Sequence, residues 1–177
     1  MRERTKEFQI RRVDYKKHFP KGGAALGNLE ASLRDTSLEP DLLELVRILA
    51  SQINGCAYCL AMHTRDARAR GENQVRLDTV VAWRETPYFT DREQAALAWC
   101  EHLTDLSHLG ASNESYARIE SLFSAPEVAA LTFAIIAINS WNRLAVGLEA
   151  DVTSLEGVDA PIVSAVSRAD AIGEGDQ

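Results

Sequence analysis

Residues 40–71 read PDLLELVRILASQINGCAYCLAMHTRDARARG. Leu42, Leu43, Leu45, Val46, Leu49, Ala50 and Ile53 recur at the intervals of a helical stripe. Pro40 suits a first turn, where a missing N–H costs nothing. Asn54-Gly55 then breaks the helix. A second helix is predicted from about Cys56 to Arg70, and Gly71 suits the left-handed position that ends a helix. The break lets the first helix fold back towards the second.

The same punctuation continues outward. A short helix is predicted from about Gln74 to Trp83, stopping before Pro87. Thr90 and Glu93 form a capping box. The helix behind it carries Ala96, Leu97, Trp99, Cys100, Leu103 and Leu106. Ser112 opens another, with Tyr116, Ile119 and Leu122 on its expected inner face. Ser124 and Glu127 make a second capping box, with Pro126 in the first turn. The helix they start is apolar almost all round and is therefore expected at the centre. Nothing alternates like a strand for more than a few residues. The expected fold class is all-α. The 177 residues suit about one domain. It divides into a basic N-terminal arm (1–25), a helical core (26–150) and a small, acidic tail (151–177), with a frayed tip GEGDQ.

Composition excludes several classes. Hydrophobic residues at 46% and charged residues at 25% rule out disorder of the bulk. A net charge of −7 argues against a nucleic-acid partner. The basic arm is read as a solvated segment docking on an acidic neighbour subunit. The amino terminus is charged and lacks the apolar core of an export leader, so a cytoplasmic protein is expected. Val128 to Leu148 is apolar enough to be weighed as a membrane span. However, Asn139, Ser140, Asn142 and Arg143 sit near its centre, where a charge costs ~2.5–3.5 kcal/mol. A buried helix and no membrane partner are expected.

Cys56, Cys59 and His63 stand at i, i+3 and i+7, on one helical face, with His63 one turn after Cys59. Cys56 lies at the helix start, where free N–H groups favour an anion. A helix start and a nearby imidazole lower the pKa of a thiol, and a second cysteine one turn away can close a disulfide. Without an export signal, two such cysteines point to redox chemistry or to metal. Two small core residues are the plain alternative. Half a zinc site is another, with Glu44 as a fourth ligand, but structural zinc sites usually use Cys and His alone; no metal is expected. Glu44 could equally be a surface partner of Arg47, and Tyr58 a half-buried aromatic. Asn139, Trp141, Asn142 and Arg143 form a polar cluster that needs partners: a structural network, a subunit contact, or a wall of the active site. Cys100 reads as core, Trp83, Tyr88 and Phe89 as core or interface. His18, His102 and His108 have no evident partner.

The spacing E-x(11)-C-x-x-C-x(3)-H, met by Glu44, Cys56, Cys59 and His63, resembles the signature of the AhpD-like alkylhydroperoxidases of the carboxymuconolactone decarboxylase superfamily. The stretches SQINGCAYCLAMHTRDARARGE (51–72), FTDREQAALAWCEHLTD (89–105) and INSWNRLAVG (138–147) match too. The resemblance implies an all-helical fold with the C-x-x-C at a helix start, assembly into trimers or hexamers, and peroxide reduction through the cysteine pair. It makes Cys59 the peroxidatic thiol and Cys56 the resolving thiol. His63 receives or relays the proton, and Glu44 acts through His63 or water as general base. It implies no cofactor, but a hydroperoxide substrate and an external dithiol reductant such as a lipoylated or thioredoxin-like protein. Tyr58 stands where the family pattern has histidine; as a poor base near pH 7 it shortens the relay. Tyr58, Asn139 and Arg143 are the candidates for supporting the site. Helix-start logic favours Cys56 as the nucleophile and the resemblance favours Cys59. A directly contacting base outweighs a dipole effect of ~0.3–1 kcal/mol, so Cys59 is preferred. The rival functions are a lactone-decarboxylase-type lyase and a non-catalytic metal-binding or oligomeric interaction protein.

Overall fold

The computed structural model describes residues 9–155. These form α1 (Tyr15–His18), α2 (Pro20–Ser32), α3 (Pro40–Ile53), α4 (Ala57–Ala69), α5 (Gln74–Thr79), α6 (Asp91–Thr104), α7 (Asn113–Leu122) and α8 (Ala125–Gly147). Among the described residues the only β pairing is one bridge, Ile10 to Ala150. The all-α expectation holds. The GEGDQ tip lies outside the described residues.

Helix α3 is the hub. It packs on α4, α6 and α8, and Leu45, Val46, Ile48, Leu49 and Ala50 are essentially without solvent exposure. It ends at Asn54, and Gly55 turns the chain with φ +64°, a left-handed conformation that glycine enters at no steric cost. Helix α4 then returns along α3. Both capping boxes form. Thr90 Oγ1 accepts from the Glu93 N–H (3.2 Å) while Glu93 accepts from the Thr90 N–H (2.8 Å). Glu127 accepts from the Ser124 N–H at 2.8 Å. Arg92 ties the starts of three helices together: it pairs with Glu39 (2.9 Å) and Glu127 (2.6 Å), and its guanidinium lies 3.8 Å from the centre of the Phe123 ring.

Four local expectations are corrected. The helix from Gln74 ends at Thr79 and tightens into a 3-10 segment, Val80–Glu85, which carries Trp83 inward to donate from Nε1 to Glu101 (3.0 Å). On α7 only Ile119 is buried; Tyr116 stays 47% exposed, packing edge-on to Trp99. Leu106 lies beyond the end of α6 and is exposed, as is Tyr88. Helix α8 is not enclosed on every side: it buries Leu131, Ile135 and Ile138 against α3 and α6 but exposes Phe133, Ile136 and Val146. Uniform hydrophobicity reports that a helix avoids water without reporting which side its own chain covers.

The beginning of the described chain is held against the residues that follow α8. Arg11 and Arg12 donate their backbone N–H groups to Glu149 and Leu148. Their side chains pair with Asp151 and Glu149 of the same chain (3.1 and 2.7 Å). Helix α2 then runs without interruption through residues 20–32.

Truncating Leu45, which is fully buried at the centre of α3, is expected to cost ~2–5 kcal/mol of unfolding free energy. Val81→Ala, at an exposed position, is expected to change it by under about 0.5 kcal/mol. Urea denaturation followed by circular dichroism measures both.

Candidate active site

The return of α4 along α3 brings Glu44 against His63. The Glu44 carboxylate divides its oxygens: Oε1 accepts from Arg47 Nη1 (2.8 Å) and Oε2 faces His63 Nδ1 (2.9 Å). Arg47 also reaches Glu30 (3.1 Å). Burial pushes the Glu44 pKa up, but the hydrogen bonds and positive charge of His63 and Arg47 outweigh it, so the carboxyl titrates below its ordinary value. With Nδ1 assigned as the donor to this carboxylate, Nε2 is the nitrogen left for chemistry. The surface reading of Glu44 thus gives way to one in which Arg47 and His63 share it.

Cys56 caps α4, its Sγ accepting from the Cys59 N–H at 3.4 Å. Both thiols are buried, 2% and 3% exposed, and neither is in a disulfide. The two sulfurs share a hydrogen bond that shifts their pKa values apart. The Cys59 thiol donates to Cys56 and, against the effect of burial, lowers it to about 7, helped by the backbone N–H groups of Cys59 and Tyr58 and by Asn142. The same bond, then burial, then the Cys56 charge, push Cys59 up. When the reduced pair gives up one proton, the anion is favoured on Cys56.

Asn142, fully buried on α8, was seen in the sequence only as part of a polar cluster. Its Oδ1 accepts from Asn54 Nδ2 (2.9 Å), so its Nδ2 points the other way, to Ser51 Oγ (3.1 Å), and its amide lowers the pKa of both thiols. Asn139 accepts from Asn54 (3.0 Å) and Arg143 (2.9 Å) and donates to Thr104 (3.0 Å). Asn139 and Arg143 thus support the network behind the thiols, and they line a separate groove with Leu103 and Leu106. Trp141, Leu144 and Ala145 take the wall position instead. The sequence signal that could have found Asn142 was its phase: it lies three residues from Asn139 on one face of an apolar helix, opposite the Asn54 break.

A cavity of about 620 Å³ opens beside the thiols. Glu44, Tyr58, Cys59, Met62, His63, Trp141 and Leu144 line it; Cys56 does not. Burial and the charge of Cys59 raise the Tyr58 phenol to about 12, which keeps it a hydrogen-bond donor and not a base. Cys100 is fully buried, bonded to the Val46 carbonyl (3.4 Å) and pushed up to about 12 by burial, as expected of a core thiol. His102 and His108 do have partners, the Gly110 carbonyl and Asp105 (each 2.6 Å). Among the described residues no three His, Cys, Asp or Glu side chains gather closely enough to hold a metal ion.

Two thiols stand at a helix start inside an all-helical fold, and the fold is that of the AhpD-like class of protein. Residues 20–102 match the carboxymuconolactone decarboxylase family. The chain is 34% identical over 137 residues to the uncharacterized protein YdfG of Bacillus subtilis, covering 77% of this chain and 93% of that one. A crystal structure of a protein of unknown function from Agrobacterium tumefaciens, described as a candidate antioxidant defence protein AhpD, superposes with a TM-score of 0.75 at 35% identity. The match spans 80% of this chain and 96% of that one. An uncharacterized peroxidase-related protein from Silicibacter shares the fold, with a TM-score of 0.67 at 19% identity over 75% of this chain and 70% of its own. The chain belongs to the carboxymuconolactone decarboxylase family, on its AhpD-like side.

Alkylation of the reduced protein by iodoacetamide, measured against pH in a Cys100→Ser background, is expected to titrate with a midpoint near pH 7. Asn142→Ala is expected to move the midpoint upward, because the amide that donates to the sulfurs is gone. A midpoint near the ordinary thiol value of ~8.5 in both proteins would contradict the shared-proton geometry.

Proposed function

We propose that the protein is a thiol-dependent peroxidase that reduces hydroperoxides through Cys56 and Cys59. The observation that carries this is the buried Cys59 sulfur at a cavity beside the His63–Glu44 pair, with the Cys56 sulfur accepting from the Cys59 N–H at 3.4 Å. Cys59 is the attacking sulfur because it alone of the pair lines the cavity. In the resting pair the anion favours Cys56; shifting the shared proton along the S–H···S bond moves it to Cys59.

The Cys59 thiolate attacks the terminal peroxide oxygen. The S–O bond forms, the O–O bond breaks, and the leaving alkoxide takes a proton from His63 Nε2 to depart as an alcohol. Glu44 holds the His63 ring by Nδ1. The Tyr58 phenol donates a hydrogen bond to the oxygen that develops charge. Cys56 then attacks the Cys59 sulfenic acid; the S–S bond forms, and the thiol proton leaves with the hydroxyl as water. A dithiol supplies two electrons and two protons to restore the pair, and a lipoylated or thioredoxin-like protein is the class that fits. We place the protein in the cytoplasm as a trimer or hexamer; the exposed apolar residues Phe133, Ile136 and Val146 of α8 support association.

Mild oxidation is expected to remove two of three titratable thiols in denaturant, leaving Cys100. Three remaining thiols would end the disulfide reading. Glu44→Gln and His63→Gln are each expected to lower peroxide turnover by ~10²–10⁴-fold in a stopped-flow assay with a dithiol regenerating system. Unchanged turnover in both would return Glu44 and His63 to structural roles. A lactone lyase would keep its activity without the cysteines. Light scattering is expected to give a mass well above that of one chain.

A further inference from the structure

The cavity beside Cys59 is far larger than a hydrogen peroxide molecule needs. Its volume of about 620 Å³ equals that of ~20 liquid waters and falls within the ~300–1,000 Å³ range of small-molecule sites. Its lining is graded. Cys59 and His63 are buried, 3% and 8% exposed. Met62, Tyr58, Trp141, Leu144 and Ala145 supply an apolar and aromatic wall. The exposed side chains on its border are Lys16, Arg34 and Arg70.

The charges on this border do not mirror the whole chain, which carries −7. The two acidic side chains in the lining, Glu30 and Glu44, are both engaged by Arg47, and Glu44 also by His63. Arg70 is paired with Asp41 at 2.6 Å. Arg34, in the 3-10 turn Leu33–Asp35, has no acidic partner among the described residues. Lys16 of α1 stands on the same border. An otherwise acidic protein thus presents a positive mouth to an apolar cavity that ends at a thiol. A field of this kind concentrates anions at the opening.

Building on the peroxidase reading, we propose that the substrate is an organic hydroperoxide carrying a carboxylate. Its apolar body lies against Trp141, Leu144 and Met62, its hydroperoxide reaches Cys59, and its anionic end is held at the mouth by Arg34. Arg34 is the specificity-determining residue. It takes no part in the chemistry; its guanidinium offers a carboxylate two parallel N–H donors.

The test compares three peroxides at low ionic strength: hydrogen peroxide, cumene hydroperoxide, and cumene hydroperoxide bearing a para-carboxylate. The carboxylate form is expected to have a kcat/KM higher than its neutral parent by roughly threefold to tenfold, as for one solvent-facing ion pair. Raising the salt concentration is expected to shrink that ratio. Arg34→Gln, at an exposed position that anchors no other side chain, is expected to bring the ratio close to one. Equal kcat/KM for the two organic peroxides, in the natural protein and in Arg34→Gln, would overturn the anion site and leave the peroxidase reading standing.

Consumption of none of the three would instead overturn the peroxidase reading. The anion site is then decided by protection of Cys59 from iodoacetamide, with 4-isopropylbenzoate and the neutral 4-isopropylbenzamide as probes. Stronger protection by the benzoate, lost in Arg34→Gln, supports the site. Equal protection by both, or none by either, overturns it.

Discussion

The structure depends on the side-chain amide of Asn54. That amide stands at the turn between α3 and α4 and donates to the Ala50 carbonyl (2.9 Å), ending α3, and to Asn139 (3.0 Å) and Asn142 (2.9 Å) on α8. One short side chain thereby joins the helix break to the middle of the most apolar helix. Both asparagines are buried, and an unpartnered buried amide costs ~1–3 kcal/mol. Turn and helix therefore keep one register. The thiols lie next to that junction, because Cys56 follows the turn by two residues.

The electrostatics of the site follow from this register. With its Oδ1 committed to Asn54, Asn142 can present only donors to Ser51 and the sulfurs. The N-terminal N–H groups of α4 face the same way. Donors therefore surround a pair of thiols that hold one anion between them. On the other side of Cys59, the carboxylate of Glu44 balances Arg47 and His63, so a buried acid, a guanidinium and an imidazole form a closed group instead of isolated charges. Proton donor and thiol pair share α4, but their partners come from different elements, α3 for His63 and α8 for the cysteines.

The outside of the molecule obeys a different constraint. The arm that begins the described chain spends two of its arginines on the residues just after α8, closing residues 10–12 against 147–151. That closure carries Tyr15 and Lys16 to the edge of the cavity. Helix α8 turns one side to the polar network and the core and leaves Phe133 and Ile136 uncovered. An aromatic and a branched aliphatic side chain on adjacent turns of one helix face are an apolar surface of the kind that seeks a partner.

Much of this was legible in the residues alone. The stripe from Leu42 to Ile53, the Asn54-Gly55 break and the two capping boxes are local signals, set by hydrogen bonds and periodicity within a few residues, and the helices they define start where expected. Glu44, Cys56, Cys59 and His63 were legible as a spacing. What only the tertiary structure decided is which groups face one another. That Glu44 serves both Arg47 and His63 depends on how α4 returns along α3. That Asn142, and not Asn139 or Arg143, acts on the thiols depends on the rotation of α8 about its axis. Uniform hydrophobicity cannot report that rotation, because a helix apolar on every side carries no stripe to orient it. The division between the two cysteines is of the same kind. Local rules favour an anion on Cys56 at the helix start, while the cavity built by α3, α4 and α8 opens onto Cys59. One is a property of a helix terminus, and the other exists only after three helices have packed.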